Sequence, residues 1–109
     1  MHDKGKDTLK IINQFRDKGG MGYDLKCEGA RLSLLVAPSR TIGDAGEWRV
    51  EARAGRTAKG AHVVTEWGHT RSEALQAVGH AWASKELTHN LPMFDWEAVA
   101  EVLTEVRAL

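Results

Sequence analysis

The sequence predicts a single α+β domain: an antiparallel sheet of three to four strands with helices packed on one face, in the order α-β-β-(β)-β-α-α. Three observations carry that prediction. Between Tyr23 and Trp67, apolar and polar residues alternate in short runs separated by Gly-rich turns. After Thr70 the apolar residues recur at the spacing of an amphipathic helix. Finally, 109 residues of which 42% are hydrophobic match the size and composition of one core that needs no staple. Each strand run has one apolar and one polar face, the pattern of a sheet covered by helices on one side only.

Residues 1–6 read as a flexible polar start and residues 7–109 as the domain. Leu9, Ile12 and Phe15 follow helical spacing, Asp7 is placed to cap and Gly19-Gly20 to stop, which predicts a helix over residues 8–18. Tyr23, Leu25 and Cys27 then alternate with Asp24, Lys26 and Glu28, and Leu32, Leu34 and Val36 alternate with Arg31 and Ser33; Gly29-Ala30 between them makes a hairpin. Residues 38–46 have loop composition. Trp48, Val50, Ala52 and Ala54 alternate with Arg49, Glu51 and Arg53, and after a turn over residues 55–60 a further strand runs over residues 61–67.

Thr70-Arg71-Ser72-Glu73 is a capping box, so a helix starts at Arg71 with an apolar stripe of Ala74, Leu75, Val78, Ala81 and Trp82. Residues 87–92 break it. Asp95 caps a last helix carrying Trp96, Val99, Ala100, Leu103 and Val106 on one face, with Phe94 and Val99 at the positions of a hydrophobic staple.

Composition excludes several classes. The 15 basic and 15 acidic side chains cancel, which disfavours a partner held by bulk electrostatics, although the first 70 residues carry a surplus of three basic groups. A single cysteine, Cys27, forms no internal disulfide and sits in phase with Tyr23 and Leu25 as a small hydrophobe; a reducing, cytoplasmic setting is expected. No apolar run has the length of a membrane span, and the first seven residues have none of the apolar character of an export signal. His62, His69, His80 and His89 lack the spacing that places two metal ligands on one face. No nucleophile, phosphate-loop or dinucleotide motif is present, so the expectation is a binding domain without catalysis and without a cofactor. Glu97, Glu101 and Glu105 read as the solvated ridge of the last helix, and the four tryptophans, Trp48, Trp67, Trp82 and Trp96, as core in phase with apolar neighbours.

The residues with most functional weight are Arg49, Arg53, Arg56, Lys59 and Arg71. Arg49 and Arg53 share the outward face of one strand with Glu51 between them, Arg56 and Lys59 lie in the following turn, and Arg71 opens a helix whose free amide groups favour phosphate. They predict RNA or DNA binding through a basic sheet-and-turn face. The alternative is a protein-interaction or homodimerisation module that uses the last helix or a sheet edge, motivated by the neutral charge. Under that alternative, removing residues 91–109 abolishes association and leaves the remainder folded.

The element order and the stretch Gly68-His69-Thr70-Arg71-Ser72-Glu73-Ala74-Leu75-Gln76-Ala77 together resemble the double-stranded-RNA-binding domain over residues 7–86. In that family a Gly and then Ser-Lys-Lys open the last helix, followed by Ala-Lys and small residues. Thr70, Arg71, Ala74 and Ala77 match, and residues 23–29 look like its first strand with a closing Gly. Ser72 and Leu75 stand where the family has its other lysines, and Gly29 is followed by Ala30 and Arg31 in place of the family's Gly-Pro-x-His loop. The resemblance implies a helix, three strands and a helix, with Arg71 as the retained phosphate contact.

Overall fold

The computed structural model of the chain describes residues 9–39, 47–55 and 61–109. Five strands, β1 (Leu9–Asp17), β2 (Gly20–Cys27), β3 (Ala30–Pro38), β4 (Trp48–Ala54) and β5 (Ala61–Gly68), precede two helices, α1 (Arg71–Lys85) and α2 (Trp96–Glu105). The strands form one antiparallel sheet in sequence order. The order is therefore β-β-β-β-β-α-α, and the opening helix expected over residues 8–18 is a strand. The helix that the family resemblance implies at this place is not formed.

The local chemistry explains the difference. Lys18 and Gly19 have φ of 48° and 80°, the left-handed pair of a two-residue type I′ turn, whose twist suits a β-hairpin. What reads as a helix stop is the hairpin itself. Between Ile11 and Asn13 the pairing of β1 with β2 slips by one residue. Leu9 and Ile11 face the same side as their partners Cys27 and Leu25, but beyond the bulge Phe15 lies opposite Gly22 on the other face. One inserted residue turns a period of two into the spacing 9, 12, 15 that imitates a helix, and leaves Ile12 45% exposed.

The remaining elements follow their sequence signals. Thr70 Oγ1 accepts from the Glu73 amide at 3.1 Å, and the Glu73 carboxylate accepts from the His69 amide at 3.2 Å, one residue before the cap. Asp95 Oδ1 accepts from the amides of Glu97 and Ala98 at 3.1 and 3.2 Å. Both helices lie on the face that carries Tyr23, Leu25, Leu32, Leu34, Val36, Val50 and Ala52, with α1 over β5 and β4 and α2 reaching β1. Close approach needs missing side chains at two places: a Cβ on Gly68 would stand 2.5 Å from the Ala74 amide nitrogen, and one on Gly79 would stand 2.9 Å from Trp96 Cγ.

Trp82 is fully buried and makes edge-on contacts with Phe94 and Trp96, at centroid distances of 5.6 and 5.7 Å. Its indole nitrogen donates to the Pro92 carbonyl at 3.0 Å and so fixes the connection between the helices. The last helix packs on its own sheet: Ala98, Val99, Leu103 and Ala108 belong to the core. Its end is a Schellman turn, with Ala108 N–H donating to Leu103 C=O at 2.8 Å, Arg107 N–H to Thr104 C=O at 3.0 Å and Arg107 at φ 61°. No helix among the described residues is long and apolar enough to cross a membrane.

Candidate functional site

The basic residues picked out by the sequence divide between the two faces of the sheet. Arg49 and Arg53 lie on the open face of β4, where both turn toward Glu51: Arg49 Nη1 is 2.7 Å from Glu51 Oε2, and Arg53 Nη2 is 3.9 Å from Glu51 Oε1. Glu51 is only 7% exposed. Two guanidinium groups thus share one sheltered carboxylate, which holds them flat on the sheet and halves the charge they present. Arg71 stands on the opposite side, beside the helix-facing Trp48. Arg56 and Lys59 lie outside the described residues. The structure therefore does not gather Arg49, Arg53 and Arg71 into one patch.

The open face also takes up a tryptophan expected in the core. Register places Trp67 opposite Arg49, and Thr65 opposite Glu51, both away from the helices. The expected phase of Trp67 fails because apolar and polar residues do not alternate strictly in β5, and the strand carries its own bulge between Ala52 and Arg53 of its partner. Phe15 lies across Gly22 on the same face, so this face is partly apolar as well as charged.

On the helix-facing side, at the end of the sheet where the β1–β2 turn meets the start of α1, a cavity of about 700 Å³ opens. Strand register builds its floor: Arg16, Met21 and Val36 stand in one row across β1, β2 and β3, and Pro38 and Trp48 pair in the next. The turn residues Lys18 and Gly19, Arg71 and Ala108 complete the wall. Three cations, Arg16, Lys18 and Arg71, face it against one carboxylate, Asp17.

Arg71 is held in place twice. The capping box fixes its backbone at the first position of α1, and its guanidinium lies 4.8 Å from the centroid of the Trp48 ring. Among the described residues it has no carboxylate partner. Tyr23, 5% exposed, lines the same cavity, and none of the described residues hydrogen-bonds its hydroxyl. Burial raises its phenol above the ordinary value of 10.0, and the nearby positive charge of Arg71 opposes that rise. At neutral pH the hydroxyl is therefore a protonated donor, within reach of the charge of Arg71.

A second hollow of about 460 Å³ lies between the helices, lined by Leu75, Gly79, His80, Trp96 and Ala100 among others. Trp96 Nε1 is buried there with no hydrogen-bond partner among the described residues, and the exposed side chains of Ser72, Gln76, His80 and Glu97 line the open side of the hollow. Among the described residues no three His, Cys, Asp or Glu side chains come together as a metal set would require.

Of the cavity residues, only Arg71 carries weight in the sequence. Arg16 reads there as one side of a helix and Tyr23 as strand core, and they meet only once residues 9–17 are a strand paired with β2. The turn Lys18-Gly19 is the one local signal that could have placed them together. The chain matches no family model, no curated protein and no solved structure. The likeness to the double-stranded-RNA-binding domain, drawn over residues 7–86, thus rests on residues 23–29 and 68–77 without the opening helix.

Proposed function

We propose that the chain is a small binding domain that holds an anionic ligand in the cavity between the β1–β2 turn and the start of α1. The observation that carries this reading is Arg71, stacked on Trp48 at 4.8 Å and lacking an acidic partner among the described residues, in one cavity with Tyr23, whose hydroxyl none of the described residues hydrogen-bonds. A guanidinium held rigid by an aromatic face is pre-organised to take a carboxylate or phosphate, since little side-chain freedom remains to be lost on binding. Arg16 and Lys18 add positive charge at the rim. The cavity volume falls within the range of small-molecule sites, about 300–1,000 Å³.

Nucleic-acid binding through the open sheet face is the weaker reading, because Arg49 and Arg53 already share Glu51. Both readings yield to one experiment. Purified protein is titrated with small anions, duplex RNA and duplex DNA at low and physiological salt, following tryptophan fluorescence, to which Trp48 reports directly from beneath Arg71. A small anion is expected to bind, with affinity reduced about 10- to 100-fold in Arg71→Gln, the loss of a charge-assisted hydrogen bond of roughly 1.5–3 kcal/mol. Nucleic-acid binding that is unchanged in Arg71→Gln and lost in Arg49→Gln/Arg53→Gln would return the function to the sheet face.

A further inference from the structure

The cavity is much larger than a small anion needs. Liquid water takes about 30 Å³ per molecule, so about 700 Å³ has room for roughly twenty waters, whereas an inorganic phosphate displaces only a few of them. The remaining lining is largely apolar: Met21, Val36, Pro38, Trp48 and Ala108. Ala108, 3% exposed, is part of this wall. The charged groups do not surround the space. Lys18 and Arg16 are exposed at the turn and strand end, and Arg71 sits by Tyr23, close enough for its charge to act on the phenol. Three cations against the single carboxylate of Asp17, with hydrocarbon along the floor, fit a ligand with one anionic end.

The use made of Trp48 narrows the class further. Its ring is covered on one side by the Arg71 guanidinium, so that side is closed to a stacking base. The aromatic surface serves to position the arginine.

Resting on the anion-binding reading, we propose that the cavity takes an amphipathic anion, a single carboxylate or phosphate head on a medium-length hydrocarbon body. Arg71 and the Tyr23 hydroxyl hold the head, Arg16 and Lys18 flank it, and the body lies along Met21, Val36 and Pro38. The head accepts hydrogen bonds from Tyr23 and Arg71, and the body removes apolar surface of the floor from water.

The test is a titration of the full chain with octanoate, octyl phosphate, octanol, acetate and inorganic phosphate at constant ionic strength. Octanoate or octyl phosphate is expected to bind at least tenfold more tightly than acetate or phosphate, by up to about fourfold per added methylene, and the tighter of the two names the head. Tyr23→Phe is expected to weaken binding of the amphiphile about 2- to 10-fold, as for one neutral hydrogen bond, with an unchanged far-ultraviolet circular dichroism spectrum and a cooperative thermal transition. Met21→Ser is expected to weaken octanoate and leave acetate unaffected. Acetate or phosphate binding as tightly as the amphiphiles overturns the amphipathic class and leaves the anion reading standing. Octanol binding as well as octanoate, or binding of none of the five, overturns both.

Discussion

Tyr23 is the only tyrosine in the chain, so its titration can be followed without ambiguity by the near-ultraviolet absorbance of the phenolate. Burial holds its pKa above 10.0 and Arg71 pulls it down. Two outcomes follow from those opposed influences. The phenol titrates above the unfolded value, and in Arg71→Gln, where the opposing charge is gone, it moves further up. Because the folded pKa is the higher one, the stability linked to this group is fully present below pH 10 and is lost as pH rises through the folded value. A titration at or below the ordinary phenol range would mean that the ring is not enclosed as described. At a second residue, Gly79→Ala forces a Cβ to 2.9 Å from Trp96 Cγ, and the overpacking should lower stability by about 1–3 kcal/mol in urea unfolding.

At the scale of elements, the helix ends give the sharpest expectations. Thr70→Ala removes the acceptor for the Glu73 amide and should destabilise by about 1 kcal/mol; the same change also loosens Arg71, so ligand affinity should fall together with stability. At the far end of α2, Arg107 sits at φ 61° in the position of a Schellman turn where glycine is preferred. Arg107→Gly should therefore raise the unfolding midpoint, the gain in stability being up to about 1 kcal/mol after the extra freedom of the unfolded glycine is subtracted. An unchanged or lowered midpoint would show that the arginine side chain contributes more than its backbone costs. Both edge strands, β1 and β5, are paired through a bulge. A bulge interrupts the regular row of free backbone groups that an incoming strand needs, which works against association through either sheet edge.

For the molecule as a whole, the last helix decides what truncation does. Ala98, Val99, Leu103 and Ala108 are part of the single core, so removing residues 91–109 uncovers the sheet beneath them and takes away Phe94 and Trp96 from around Trp82. The truncated chain should lose its cooperative thermal transition, in contrast to the expectation that the remainder stays folded while an interface is lost. The apolar stripe of α2 is consumed within the chain, which leaves a dimer little of that face to use; Val106 remains exposed. Truncation with an intact transition would restore the helix as a separable module.

Much of the architecture was readable where a signal is local. The capping residues Thr70 and Asp95, the alternation of Trp48–Ala54 and the stripe Ala74, Leu75, Val78 and Trp82 each depend on residues a few positions apart, and each formed as its chemistry requires. By itself the sequence determined an α+β chain with an antiparallel sheet and helices on one side. The tertiary structure alone decided that residues 9–17 are a strand, because a bulge reversed the phase of its apolar residues and only pairing with β2 reveals that reversal. It also decided the candidate site. Arg16, Tyr23, Trp48 and Arg71 are distant in sequence and share no periodic signal, and strand register and the seat of α1 bring them to one cavity. Arg49 and Arg53 illustrate the converse: alternation put them on one face correctly, but their charge depends on Glu51, whose shelter comes from the packed open face of the sheet.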